Sequence, residues 1–169
     1  MGKLKALDEN LNLTNKRVIL RADLNVPILE EKVTDKSRID KIIPLIKNLL
    51  RRKAKVILIS HLGRPKGKID QKLSLKPIAS ILETSLNSEV HFFDKSYDLA
   101  AEKSKKIKSG EVLLLENIRF HKEEELNDKS FAKKLSQMGD IYINEAFSCS
   151  HRAHASVCEI TNHIKSYAG

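Results

Sequence analysis

The chain has 169 residues, 41% hydrophobic and 31% charged, with 31 Lys and Arg against 22 Asp and Glu for a formal charge of +9. That balance suits a single folded domain burying roughly 70% of its unfolded surface, and it excludes a disordered chain. No apolar run nears the roughly 18 residues of a membrane span, and the first residues lack the apolar core of a secretory signal.

Five short aliphatic runs read as strands covered on both faces: 18–22 (VILRA, with Arg21 its only charge), 56–60, 90–93, 112–115 and 141–143. Segments of helical period lie between them. Ile39, Ile42, Ile43, Ile46, Leu49 and Leu50 form a first stripe, with Thr34 or Ser37 as its N-cap. Leu75, Ile78, Ala79, Leu82 and Leu86 form a second, with Pro77 in its first turn. A weaker third runs through Leu99, Ala100 and Ile107 to Gly110. Phe131, Ala132, Leu135 and Met138 form a fourth, opened by Asn127 or Asp128 and closed by Gly139. The tail after Ser156 reads as the start of a helix. Strand–helix alternation repeated this often predicts a three-layer α/β/α fold, a Rossmann-like parallel sheet with helices on both faces, in one domain over residues 1–169.

The charge invites a nucleic-acid reading. Yet 23 of the 31 basic residues are lysines scattered along the chain, aromatics are only 5%, and no zinc-finger, helix-turn-helix or RNA-recognition pattern occurs. No membrane or nucleic-acid partner is therefore expected. The informative residues follow the strands, where an open parallel sheet binds its ligands. Asp23 and Asn25 follow the first run, His61 and Arg64 the second, Arg119 the fourth, and Arg152 lies beyond the fifth. Arg38 opens the first helix near the same edge. Arginine's planar fork grips phosphate or carboxylate oxygens in pairs, and arginines gathered at one edge repel each other unless an anion sits among them. A small phosphate- or carboxylate-bearing ligand is the reading.

Other candidates are weaker. His151 and His154 have a metal-compatible spacing without a third ligand, so no metal site is expected in this chain. Cys149 has no base and orienting group beside it. Cys149 and Cys158 show no disulfide framework, which suits a reducing cytoplasm. Neither GxxxxGK[ST] nor GxGxxG is present, so the chain has no nucleotide phosphate loop.

Residues 17–27 (RVILRADLNVP), 60–67 (SHLGRPKG), 114–120 (LLENIRF) and 151–156 (HRAHAS) together resemble the N-terminal half of phosphoglycerate kinases. The resemblance implies reversible transfer of the acyl phosphate of 1,3-bisphosphoglycerate to ADP, giving 3-phosphoglycerate and ATP, with Mg2+. It implies that Asp23 and Asn25 orient the glycerate and that His61, Arg64, Arg119 and Arg152 form a basic patch for the 3-phosphate. Arg38 then stabilises the phosphoryl group in flight, as the catalytic residue. The family's enzymes are more than twice as long, and their nucleotide and Mg2+ belong to a second domain that this chain lacks. The expectation is a truncated, monomeric, cytoplasmic phosphoglycerate-binding half with no cofactor of its own and no turnover alone. A stand-alone anion-binding domain and a basic nucleic-acid module are the alternatives. Two departures, Glu145 where Asp is commoner and Ser148-Cys149-Ser150 where Gly-Thr-Ala is common, lie beside the matched positions and not among them.

Overall fold

A computed structural model describes residues 3–169. The strands are β1 (Lys5–Ala6), β2 (Arg17–Arg21), β3 (Ile28–Leu29), β4 (Lys32–Val33), β5 (Lys55–Ile59), β6 (Val90–Phe93), β7 (Val112–Leu115), β8 (Ile141–Asn144) and β9 (Ser166–Ala168). The helices are α1 (Ser37–Arg51), α2 (Lys76–Leu86), α3 (Tyr97–Lys106), α4 (Lys122–Glu125) and α5 (Lys129–Ser136). Seven strands form one sheet in the order β1-β9-β8-β2-β5-β7-β6, and every pairing in it is parallel. β3 and β4 make a separate antiparallel hairpin.

Side-chain alternation divides the core between the two faces of the sheet. Val18, Leu20, Val56, Leu58, Val112 and Leu114 meet Ile39, Ile46 and Leu49 of α1 and Ile78 and Leu82 of α2 on one face. Ile19, Ile57, Leu113, Leu115 and Tyr142 meet Ala100 of α3 and Phe131, Ala132 and Leu135 of α5 on the other. The three layers expected from the alternation of runs and stripes are thus present. No helix among the described residues is long and apolar enough to cross a membrane.

Three readings are corrected. The tail does not form the expected helix: after a 3-10 turn at Glu159–Asn162 it becomes β9, which pairs with β8. Neither Thr34 nor Ser37 caps α1; Lys36 holds that position, and Asp35 Oδ1 accepts from the Ser37 N–H at 2.8 Å instead. Leu99 lies outside the buried stripe at 56% exposure, because α3 turns Tyr97, Ala100 and Ser104 inward. The two-residue strands β1, β3 and β4 went unread, since each is held by its neighbour's hydrogen bonds rather than by its own pattern. At α5 the expected cap is present: Asp128 accepts from the Phe131 N–H at 2.7 Å.

β2 has β5 on one side and β8 on the other, so chain order reverses around it. The carboxyl ends of these strands and of β7 share one edge, which is where the polar loops gather.

Candidate active site

The loop after β2 is a hydrogen-bonded turn. Asp23 Oδ1 accepts from the Asn25 N–H at 3.1 Å, and Leu24 N–H reaches Ser60 Oγ at 2.9 Å at the end of β5. Arg38, in the first turn of α1, places Nη1 3.1 Å from both oxygens of Asp23 and donates to the Asn25 carbonyl at 3.1 Å. Its Nη2 and Nε make no hydrogen bond to the described residues. Asn25 Oδ1 accepts from the Gly63 N–H at 3.0 Å, which ties the β2 loop to the loop after β5. Ser148 Oγ donates to Asp23 Oδ2 at 2.8 Å. Burial pushes the Asp23 carboxyl up, but Ser148, the Asn25 N–H and the Arg38 charge together hold it below its ordinary value. A cleft of about 290 Å³ opens here, between Asp23, Arg38, Lys41, Glu145, Phe147 and Ser148. Ser148, set aside in the sequence as a departure beside the matched positions, therefore touches one of them directly.

The second group centres on Arg119, at a 3-10 turn (Ile118–Phe120) after β7. Asn117 builds that turn: Oδ1 accepts from the Arg119 N–H, while Nδ2 donates to the Leu62 and Leu73 carbonyls at 2.7 and 2.9 Å. Arg119 is only 4% exposed; Nη1 donates to the Gly63 carbonyl at 3.0 Å, whereas Nε is buried without a hydrogen-bond partner, 3.7 Å from Glu125. Burial lowers its pKa; Cys149 and Glu125 oppose that, and the charges of Arg21 and Arg152 add to it. A guanidinium remains cationic under such a shift. Its charge is disfavoured by its surroundings, so a bound anion gains more from it than from a solvated arginine.

His61, at the end of β5, is buried, and burial first, then Arg21 and Arg119, push its pKa down to about 3. A ring so placed brings a donor and an acceptor to the group without a charge of its own. Arg64 and Arg152 are exposed, and neither makes a side-chain hydrogen bond within the described residues. Arg152 lies near enough to lower the pKa values of Arg119 and His154. Arg64 follows Gly63, which both Asn25 and Arg119 touch, but its guanidinium joins neither network.

The structure adds residues that sequence reasoning passed over. Arg21 is fully buried: Nε donates to Ser156 Oγ at 2.8 Å, Nη1 to the Ala22 carbonyl at 2.7 Å, and Nη2 lies 3.0 Å from His61 Nδ1. Its signal was present, since a lone charge in a strand covered on both faces has to be paired. Glu124 and Ser156 carried no comparable pattern, while His154 and Cys149 were weighed in the sequence only for a metal and a thiol chemistry. Cys149 Sγ lies 3.9 Å from His61 Nδ1, but that nitrogen already faces Arg21 Nη2, and the low pKa of the ring makes it a poor base for the thiol.

An open parallel sheet in three layers, with cations gathered beyond its strand ends, defines the class: an α/β protein whose ligand edge suits a small anion. Residues 8–169 match the family model "Phosphoglycerate kinase". The phosphoglycerate kinase of Rhizobium meliloti (strain 1021) is 48% identical over 166 residues, 98% of this chain and 42% of that protein. That of Orientia tsutsugamushi (strain Ikeda) is 51% identical over 170 residues, again 42% of its length. Among solved structures, phosphoglycerate kinase from Coxiella burnetii superposes with a TM-score of 0.88 at 36% identity, over 98% of this chain and 41% of that one. The Pyrococcus horikoshii OT3 enzyme gives 0.86 at 31% identity, over 98% of this chain and 42% of its own. The chain belongs to the phosphoglycerate kinase family, and it spans about two fifths of the length of the relatives it matches.

Proposed function

We propose that residues 1–169 form the phosphoglycerate-binding half of a phosphoglycerate kinase. The reaction is reversible transfer of the acyl phosphate of 1,3-bisphosphoglycerate to ADP. The observation that carries this reading is Arg119, a buried guanidinium whose Nε makes no hydrogen bond and faces Glu125 at 3.7 Å, beside the charges of Arg21 and Arg152. It is read together with the family match over residues 8–169. Arg64, Arg119 and Arg152 take the 3-phosphate, with His61 donating as a neutral imidazole. Asp23 and Asn25 orient the glycerate. Arg38 spends only Nη1 on Asp23, so Nη2 and Nε remain for the carboxyl end and for charge on the transferring phosphoryl oxygens. That is the kind of stabilisation phosphoryl transfer needs.

In the whole enzyme ADP with Mg2+ would accept the phosphoryl group, and ATP with Mg2+ would return it in the reverse direction. The described residues here do not fit them. The one His/carboxylate group close enough to hold an ion, Glu89, His91 and Glu111, lies at the amino ends of β6 and β7, across the sheet from the arginines. We assign the nucleotide and its metal to the part of the relatives that this chain does not span. A monomer in the cytoplasm belongs to the same proposal.

Calorimetric titration tests it. 3-Phosphoglycerate should bind about ten- to hundredfold more tightly than inorganic phosphate, the worth of one added charge-assisted contact. ATP should not bind, and turnover by this chain alone should be negligible, for want of a second substrate held in place. Equal affinity for phosphate and 3-phosphoglycerate would favour a stand-alone anion-binding domain.

A further inference from the structure

We propose that Glu124 is a positioning residue, acting through Ser156 and Arg21 to hold His61 in its Nε2–H tautomer. The inference rests on the phosphoglycerate reading only for the ligand; the relay itself is a matter of donors and acceptors. Glu124 lies on α4, fully buried, and its carboxylate takes the Ser156 N–H at 2.9 Å and the Ser156 hydroxyl proton. With that proton committed, Ser156 Oγ offers a lone pair to Arg21 Nε–H at 2.8 Å. A guanidinium has donors only, so Nη2 must donate to His61 Nδ1 at 3.0 Å. Nδ1 is then the acceptor, and the ring's remaining proton sits on Nε2. That Nε2–H meets no protein oxygen among the described residues, and Cys149 Sγ stands 4.0 Å from it. It is left for a ligand.

Every link in this chain has one direction. An amide in place of the Glu124 carboxylate either turns its NH2 to the hydroxyl, pointing two donors at Ser156 Oγ, or turns it to the Ser156 N–H and sets donor against donor there. The same residue also fixes the segment behind Arg152 and His154, through its backbone as well as its side chain. Ala155 N–H donates to the Glu124 carbonyl at 2.9 Å, and the Tyr142 hydroxyl holds the Ser156 carbonyl at 2.6 Å. A carboxylate some way from the crevice thus sets both the polarity of one ligand-facing ring and the seat of a ligand-facing loop. Arg21, which no carboxylate touches directly, has its countercharge one hydroxyl away in Glu124.

The test is imidazole 15N NMR on the histidine-labelled chain at neutral pH. In the unaltered protein, His61 should show a bare Nδ1 and a protonated Nε2. In Ser156→Ala and Glu124→Gln the Nδ1–H tautomer should appear, and the dissociation constant for 3-phosphoglycerate should rise about tenfold, one lost charge-assisted hydrogen bond. Ser156→Thr keeps the hydroxyl and should keep the tautomer. A purely structural role would lower stability in these variants without changing the His61 signals. A protonated Nδ1 in the unaltered chain overturns the proposal, as does an unchanged tautomer in Ser156→Ala; the latter result decides the matter if Glu124→Gln fails to fold. If the tautomers shift as expected but 3-phosphoglycerate does not bind the unaltered chain, the substrate assignment falls and the relay stands.

Discussion

Gly67 joins the loop carrying Arg64 to the segment carrying Arg119, and replacing it should damage both stability and binding. Its φ is +75°, in the left-handed region, and its N–H donates to the Arg119 carbonyl at 3.1 Å. A Cβ built there would stand 2.7 Å from Lys122 Cβ and 2.9 Å from Lys122 Cα. The first effect costs a Gly67→Ala variant about 1–2 kcal/mol. The second, an overpacked contact against backbone that cannot swing aside, adds about 1–3 kcal/mol. Gly110 is the control: its φ is +87°, yet nothing lies within 4 Å of a Cβ there. Gly110→Ala should therefore lose only the conformational part. Urea unfolding of the two variants, with unchanged m-values, should separate them by about 1–3 kcal/mol. The Gly67 variant should also bind 3-phosphoglycerate more weakly, because the clash parts the segments that carry Arg64 and Arg119. Equal losses in the two variants would refute the close-approach argument.

Acid should destabilise the chain through His61. Its folded pKa of about 3 lies below the ordinary histidine value of 6.5, so the folded state binds fewer protons. The contribution is complete above about pH 6.5 and is lost as pH falls towards 3, at about 1.4 kcal/mol per pH unit. Glu124, pushed up by burial, acts with the opposite sign, so the comparison to make is between the unaltered chain and His61→Gln, whose stability should lose that slope. An identical pH profile would show that His61 is not buried in its neutral form. Arg119→Lys should weaken 3-phosphoglycerate about ten- to hundredfold in calorimetry, since an ammonium cannot hold the Gly63 carbonyl and present a second donor in the same plane. Unchanged affinity would remove Arg119 from the site. Ser148→Gly removes one of the hydrogen bonds that hold the Asp23 carboxyl down, so its pKa should rise when followed by carboxyl 13C NMR. A fixed value would mean that Ser148 does not donate to Asp23 in solution.

Most of the layered architecture was legible along the chain. Val18, Ile19 and Leu20 are apolar in succession because both faces of β2 are covered, and this marks a parallel strand without reference to its partners. The stripe from Ile39 to Leu50 likewise marks α1 by period alone. Such signals are local, because each side chain reports the face on which it is buried. The positions of Asp23, Asn25, His61 and Arg119 just after strands were equally plain.

Tertiary structure decided what depended on a partner far away in sequence. β9 is three residues long and exists because β8 offers a free edge. The charge state of His61 follows first from its burial and then from Arg21, 40 residues earlier, and that of Asp23 partly from Ser148, 125 residues later. Glu124 looks like one of three surface glutamates in 122–125 until folding buries it beneath Ser156. The sequence by itself determined the class of fold and the residue types at the ligand edge, because pattern and position suffice for those. Which cations are free, which are paired and which ring stays neutral were set by burial and by long-range hydrogen bonds, and those exist only once the chain has closed on itself.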